Sequence, residues 1–138
     1  MKKNIFIFRA IVSLFVLFSA CSVWAKDEDE SFTSSHENSH TYLFNTLSSK
    51  YTKRGIGVVM GETSASDKNN TQERIKWAKS YFSKAKKAKV SVIFWDNGVT
   101  FASGNTDAGE RHGYLNRNEI SWYYPEIIEA AKNAYENR

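Results

Sequence analysis

Two short runs limit what this chain can fold into. Val58-Val59-Met60 and Val90-Ser91-Val92-Ile93-Phe94-Trp95 are mostly β-branched or bulky, with almost no polar interruption, as in strands buried in a sheet. Between them Ile75, Ala78, Phe82, Ala85 and Ala88 recur at helical spacing. Strand, helix and strand in that order predict parallel pairing with a right-handed crossover, and so an α/β fold. Ligands of such folds sit at the carboxyl ends of the strands. The first strand, residues 56–60, ends on Gly61-Glu62, and Asp96-Asn97-Gly98 stops the second just after Trp95. Neighbouring strands lie about 4.8 Å apart, so an acid and a large aromatic would share one rim.

The flanking segments extend the alternation. Tyr42, Leu43, Phe44, Leu47 and Tyr51 fall on roughly helical spacing and run into a basic turn before Gly55. Asn70 and Glu73 have the spacing of a capping pair for the second helix. Lys84, Lys86, Lys87 and Lys89 lie in its last turns, where cations suit the helix dipole. A polar loop runs to about residue 118. Pro125 then opens a last helix whose packing face is Ile127, Ile128, Ala131, Ala134 and Tyr135. Trp77, Trp122 and Tyr123 read as packing residues, and Asp96 and Asn97 as turn formers.

The amino-terminal region reads differently. Lys2 and Lys3, the apolar stretch from Ala10 to Ala20, and Val23-Trp24-Ala25 follow the order of a secretory signal peptide cut after Ala25. Phe18-Ser19-Ala20-Cys21 also resembles a lipobox, with Cys21 as a lipidation site. The expected location is therefore extracellular, free or as a surface lipoprotein, with membrane contact only if Cys21 is lipidated. The mature chain has no cysteine pair for a disulfide. Lys2, Lys3 and Arg9 fall within the leader and no acid does, so a net charge of +4 falls to +1 on cleavage. That removes the electrostatic motive for a nucleic-acid role. Residues 26–40 are acidic, then Ser- and His-rich, and read as a polar linker. His36 and His40 within it are expected to be solvated, so no metal or other cofactor is expected.

An acid beside an exposed flat aromatic suits a sugar, since a pyranose face stacks on an indole while a carboxylate attacks or stabilises the anomeric carbon. Four ordered motifs carry a resemblance. GIGVVMGE resembles the seventh strand of the (β/α)8 barrel of glycoside hydrolase family 5, the cellulase family. DKNNTQERIKWAKSYFSKAK resembles the helix after it, VIFWDNG the eighth strand, and GYLNRNEISWYYPEIIEA the closing segment and last helix. The endoglucanase and xyloglucanase branch is the most similar. The resemblance implies a partial TIM barrel over residues 41–138, with Glu62 as catalytic nucleophile, Trp95 as substrate-binding platform, and a β-glucan polysaccharide as partner. It departs from the family pattern at Thr63 and Ser64, where an aromatic and Gly are usual, and at His112-Gly113.

A retaining glycosidase needs two carboxyl groups about 5–5.5 Å apart. In the family the second lies in an Asn-Glu-Pro motif, which nothing here matches. Ile120 follows Asn118-Glu119, in a turn near the last helix. A complete barrel takes about 250 residues, whereas 113 of the 138 remain after the leader. The expectation is a retaining endo-β-1,4-glucanase of the cellulase family as an incomplete chain, inactive alone. The alternatives are an exported non-catalytic protein that binds polysaccharide or a partner barrel, and an unrelated small α/β protein. Choice of β-glycan and oligomeric state stay open.

Overall fold

A computed structural model describes residues 16–19, 31–104 and 110–136. Three parallel strands form one sheet in the order β1 (Val16–Ser19), β2 (Val58–Thr63), β3 (Val90–Phe94). Helix α1 (Ser34–Lys50) precedes β2, α2 (Thr71–Lys87) crosses from β2 to β3, and α3 (Pro125–Glu136) closes the chain. A two-stranded antiparallel hairpin, β4 (Leu115–Asn116) and β5 (Ser121–Trp122), lies before α3. The helix, strand, helix, strand, helix order read from periodicity is present.

All three helices bury their apolar faces in one core. Val58, Met60 and Val90 of the sheet join Phe44 and Leu47 of α1, Trp77, Ala78, Tyr81, Phe82 and Ala85 of α2, and Ile127 and Ala131 of α3. Small residues at Ala78, Ala85 and Ala131 let α2 and α3 approach closely, while Trp77 stacks on Tyr81 at 5.3 Å. Along β3 the alternation puts Val92 and Phe94 on this helix side and leaves Ser91 and Ile93 exposed on the other. Parallel sheets normally have both faces covered. Here, among the described residues, one face is covered and the other is open.

Several expectations change. The strand called 56–60 runs Val58–Thr63, so Glu62 lies within it. Residues 34–40, read as linker, are the first turns of α1. Tyr42 points outward despite its helical spacing. Asn70 is the N-cap of α2, but its side chain makes no capping hydrogen bond. Glu73 instead accepts from Phe32 N at 2.6 Å and from Lys76 at 2.6 Å. Most of residues 1–25, read above as a leader, lies outside the described residues, with Cys21 and the expected cleavage sites. The described part, Val16–Ser19, pairs with β2 in parallel register, Val16 opposite Val58.

His40 is the clearest correction, because it is half-buried rather than solvated. The longer α1 turns its ring onto α2, where Nδ1 lies 3.1 Å from Ser80 Oγ and the ring meets Tyr81 edge-on at 5.0 Å. Burial, and then the charge of Lys84, push its pKa down from 6.5 to about 4. His36 turns elsewhere, to the backbone N–H of Thr33 at 3.0 Å. The unfolded chain takes up the His40 proton first. Stability should therefore be full above pH 6.5 and fall as pH drops towards about 4. The cost by the low end of that window should be about 3 kcal/mol. Urea unfolding between pH 7.5 and 4.5 should show the slope in the native chain, and His40→Phe should flatten it.

Candidate active site on the carboxyl rim

β2 and β3 begin in plain register, with Val58, Val59 and Met60 opposite Val90, Ser91 and Val92. The next pair is Thr63 opposite Phe94, so β2 spends one extra residue between Met60 and Thr63. This β-bulge contains Gly61 and Glu62. In an unbroken strand Glu62 would follow Val58 and Met60 onto the helix side. The extra residue inverts the alternation. Thr63 turns in, with its hydroxyl 3.3 Å from Tyr81 OH, and Glu62 turns out, exposed on the open face. On β3, Phe94 packs among Trp77, Phe82 and Tyr114, so Trp95 alternates to the same open face, 42% exposed. Trp95 N donates to Thr63 O at 2.9 Å, holding the two strand ends together. Acid and aromatic thus share one rim.

Behind them the loops are tied by buried polar groups. Asp67 accepts from the hydroxyls of Thr100 and Tyr124 and from the backbone N–H groups of Asn69 and Phe101. Its carboxylate also lies 3.7 Å from the guanidinium of Arg74, which is buried between the rings of Tyr114 at 4.7 Å and Tyr124 at 4.9 Å. Burial alone would raise the Asp67 pKa. The hydrogen bonds and the Arg74 charge outweigh it and hold the carboxyl below the usual 3.8. Asp96 and Asn97 shape their turn as expected, accepting from Gly98 N at 2.7 Å and Val99 N at 3.0 Å. They also reach further: Asp96 accepts from Leu115 N at 3.0 Å and Asn97 from His112 N at 3.1 Å. Gly113 is needed where these loops cross, since a Cβ there would come within 2.7 Å of the Val99 backbone.

His112 sits in the middle of this assembly. Its Nδ1 is 3.0 Å from Ser64 Oγ, and its Nε2 is 3.0 Å from Glu110 Oε2. A carboxylate only accepts, so Nε2 carries the ring proton, Nδ1 accepts from Ser64, and Ser64 accepts in turn from Tyr114 OH at 3.0 Å. Serine, histidine and acid follow the order of a hydrolytic triad. Ser64 is buried, however, and its oxygen is shared with Tyr114. The relay therefore holds the segment after Glu62 rather than attacking a substrate. In the sequence His112 stands out only as a departure from the family pattern. Its place beside Ser64, 48 positions away, follows from tertiary folding alone. Trp122 was misread: it is 47% exposed, on the hairpin that Asp96 anchors. Trp77 is packed as expected.

The carboxyl end of this parallel α/β sheet thus presents an exposed carboxylate and an exposed indole on one rim, the end at which barrel enzymes carry their active sites. The family model described as cellulase, glycosyl hydrolase family 5, matches residues 22–100, and the chain belongs to that family. Endoglucanase B of Neocallimastix patriciarum is 38% identical over 87 residues, 63% of this chain and 17% of that protein. Endoglucanase A of Clostridium longisporum is 37% identical over 97 residues, 70% of this chain and 17% of that protein. The solved broad-specificity endoglucanase from Ruminococcus champanellensis, with cellotriose bound, has TM-score 0.71 at 30% identity, covering 85% of this chain and 34% of that one. A family 5 lichenase from Caldicellulosiruptor sp. F32 reaches TM-score 0.75 at 28% identity, over 88% of this chain and 34% of the other. The fold is thus part of a (β/α)8 barrel. The chain spans about a sixth of the length of these curated relatives and about a third of these solved structures.

Asp67→Asn should cost about 3 kcal/mol in urea unfolding at pH 7, because it leaves the Arg74 charge buried without its counterion. In the native chain the Asp67 contribution should be full above pH 3.8 and fade as pH falls through its lowered folded value. For the relay, Ser64→Ala, His112→Ala and the double variant should form a non-additive cycle, with a coupling of about 1 kcal/mol.

Proposed function

We propose that this chain carries the nucleophile half of a retaining β-1,4-glucanase site, with Glu62 as nucleophile and Trp95 as the stacking platform beneath the sugar. The observation that carries the proposal is the bulge that brings Glu62 and Trp95 to one open face on adjacent strands. It is supported by the cellulase family membership and by relatives solved with cello-oligosaccharides. A pyranose laid on the indole presents its anomeric carbon to a neighbouring carboxylate. Attack would form a glycosyl ester on Glu62 as the glycosidic bond breaks. A second carboxyl group must protonate the leaving oxygen and then take a proton from the hydrolytic water. No motif of this sequence matches that residue, so we assign it to polypeptide beyond this chain. In this reading the chain alone binds glucan without cleaving it. We further propose export, free or anchored through a lipidated Cys21.

A purely binding role, the second reading, is favoured by the open sheet face. Titration with cellotetraose, together with a reducing-end assay, separates the two. Trp95→Ala should weaken binding about tenfold, the scale of one lost aromatic contact. Glu62→Gln should leave affinity within about twofold, a change of under 0.5 kcal/mol. Supplying the remainder of a family 5 barrel in trans should restore cleavage to the native chain but not to Glu62→Gln. Restored affinity without cleavage would favour the binding role. Release of reducing ends by the chain alone would overturn the assignment of the acid to another polypeptide.

A further inference from the structure

Exposed large apolar side chains are unevenly distributed. Of the six among the described residues, four lie between residues 95 and 122: Trp95, Phe101, Ile120 and Trp122. Clustering of this kind marks contact surfaces. Trp122 is the one whose direction can be derived. Phe94 and Tyr114 meet on the helix side, ring centroids 4.8 Å apart. One residue further along each chain, Trp95 and Leu115 therefore turn to the open side. Trp122 is directly opposite Leu115 in the antiparallel ladder, and opposed residues share a face. Tyr123, the next residue, donates its N–H to Tyr114 O at 2.8 Å, which fixes that register.

The hairpin is also held in place relative to Trp95. Leu115 N–H donates to Asp96 Oδ2 at 3.0 Å, and Arg117 lies 3.5 Å from Asp96 Oδ1 and 3.3 Å from its carbonyl oxygen. Asp96 is the residue after Trp95. The two tryptophans are thus tied through Asp96 and Leu115, a path with room for the two indoles to contact different sugars of one chain. The hairpin turn is closed at some cost, since Ile120, a β-branched residue, takes a left-handed conformation at φ 52°.

We propose that Trp122 is a second stacking platform on the same face as Trp95, contacting a sugar further along a bound β-glucan chain. The inference rests on the β-glucan reading of the rim and names a ligand contact that reading does not contain. An indole suits this ligand because it offers a flat apolar face for a pyranose and an N–H for a hydroxyl. The hairpin offers little else, its polar groups near Asp96 being engaged with one another.

The test is calorimetric titration of the full chain with cellobiose, cellotriose, cellotetraose and cellohexaose. Trp122→Ala should weaken cellohexaose about tenfold and leave cellobiose unchanged, with Trp122→Phe recovering most of the loss. Trp95→Ala should weaken every length. Thermal melting of Trp122→Ala should match the native chain, because the side chain is half-exposed. Equal losses at all lengths, or none, would overturn the second platform while leaving the β-glucan reading intact. Failure of the native chain to bind any oligosaccharide would overturn both. Loss of self-association in Trp122→Ala with unchanged glucan affinity would assign the residue to a protein contact and overturn the proposal.

Discussion

Asp67 is the charge around which this structure closes. It follows β2 by four residues, yet it accepts hydrogen bonds from the loop after β3 through Thr100 and Phe101 and from the entry to α3 through Tyr124. Arg74 at the start of α2 is buried only because this carboxylate and two tyrosine rings surround it. Its guanidinium nitrogens make no hydrogen bond among the described residues. A desolvated cation with so few donors satisfied is costly, so its compensation is almost wholly electrostatic, from Asp67 and the ring faces. The node therefore couples three segments that are far apart in sequence. The rim inherits its geometry from that coupling, because Ser64 and Trp95 lie on the segments it holds.

The one-sided sheet belongs to the same argument. A parallel sheet in a barrel has helices outside and layered side chains within. Here the outside is built to full density, with Met60, Val90, Ala78 and Ile127 sealed. The open side carries Glu62, Ser91, Ile93 and Trp95, a mixture unlike a packed interior at the rim end and only weakly apolar below it. Family membership explains the mixture. The lower residues are those of a barrel interior, and the upper ones stand at the carboxyl rim where we propose that glucan binds.

Much of this was legible in the sequence, for physical reasons that can be named. Periodicity located all three helices and the strands β2 and β3 because burial on one face is a local pattern. Chain order alone then placed Glu62 and Trp95 on neighbouring strand ends. What escaped was non-local. His40 reads as solvent-facing until α1 is known to begin at Ser34, which turns the residue onto α2. The meeting of His112 with Ser64, and of Asp67 with Tyr124, depends on loop paths that no window of sequence encodes. Trp122 was misjudged because Trp is usually packed, and its exposure follows from the hairpin register.

The bulge in β2 shows how much one such non-local feature decides. Side chains along a regular strand alternate, so the apolar run Val58-Val59-Met60 would commit Glu62 to the same face as Val58 and Met60. A carboxylate there would be buried against Tyr81 at a desolvation cost. One additional residue, admitted at Gly61 where no Cβ resists the kink, reverses the assignment. It sends Thr63 inward, where a hydroxyl can bond Tyr81, and Glu62 outward beside Trp95. The abrupt end of the apolar run at Gly61-Glu62 is thus the sequence trace of a change of face. That change, more than the acid's position at a strand end, brings a carboxylate on this strand to the open rim.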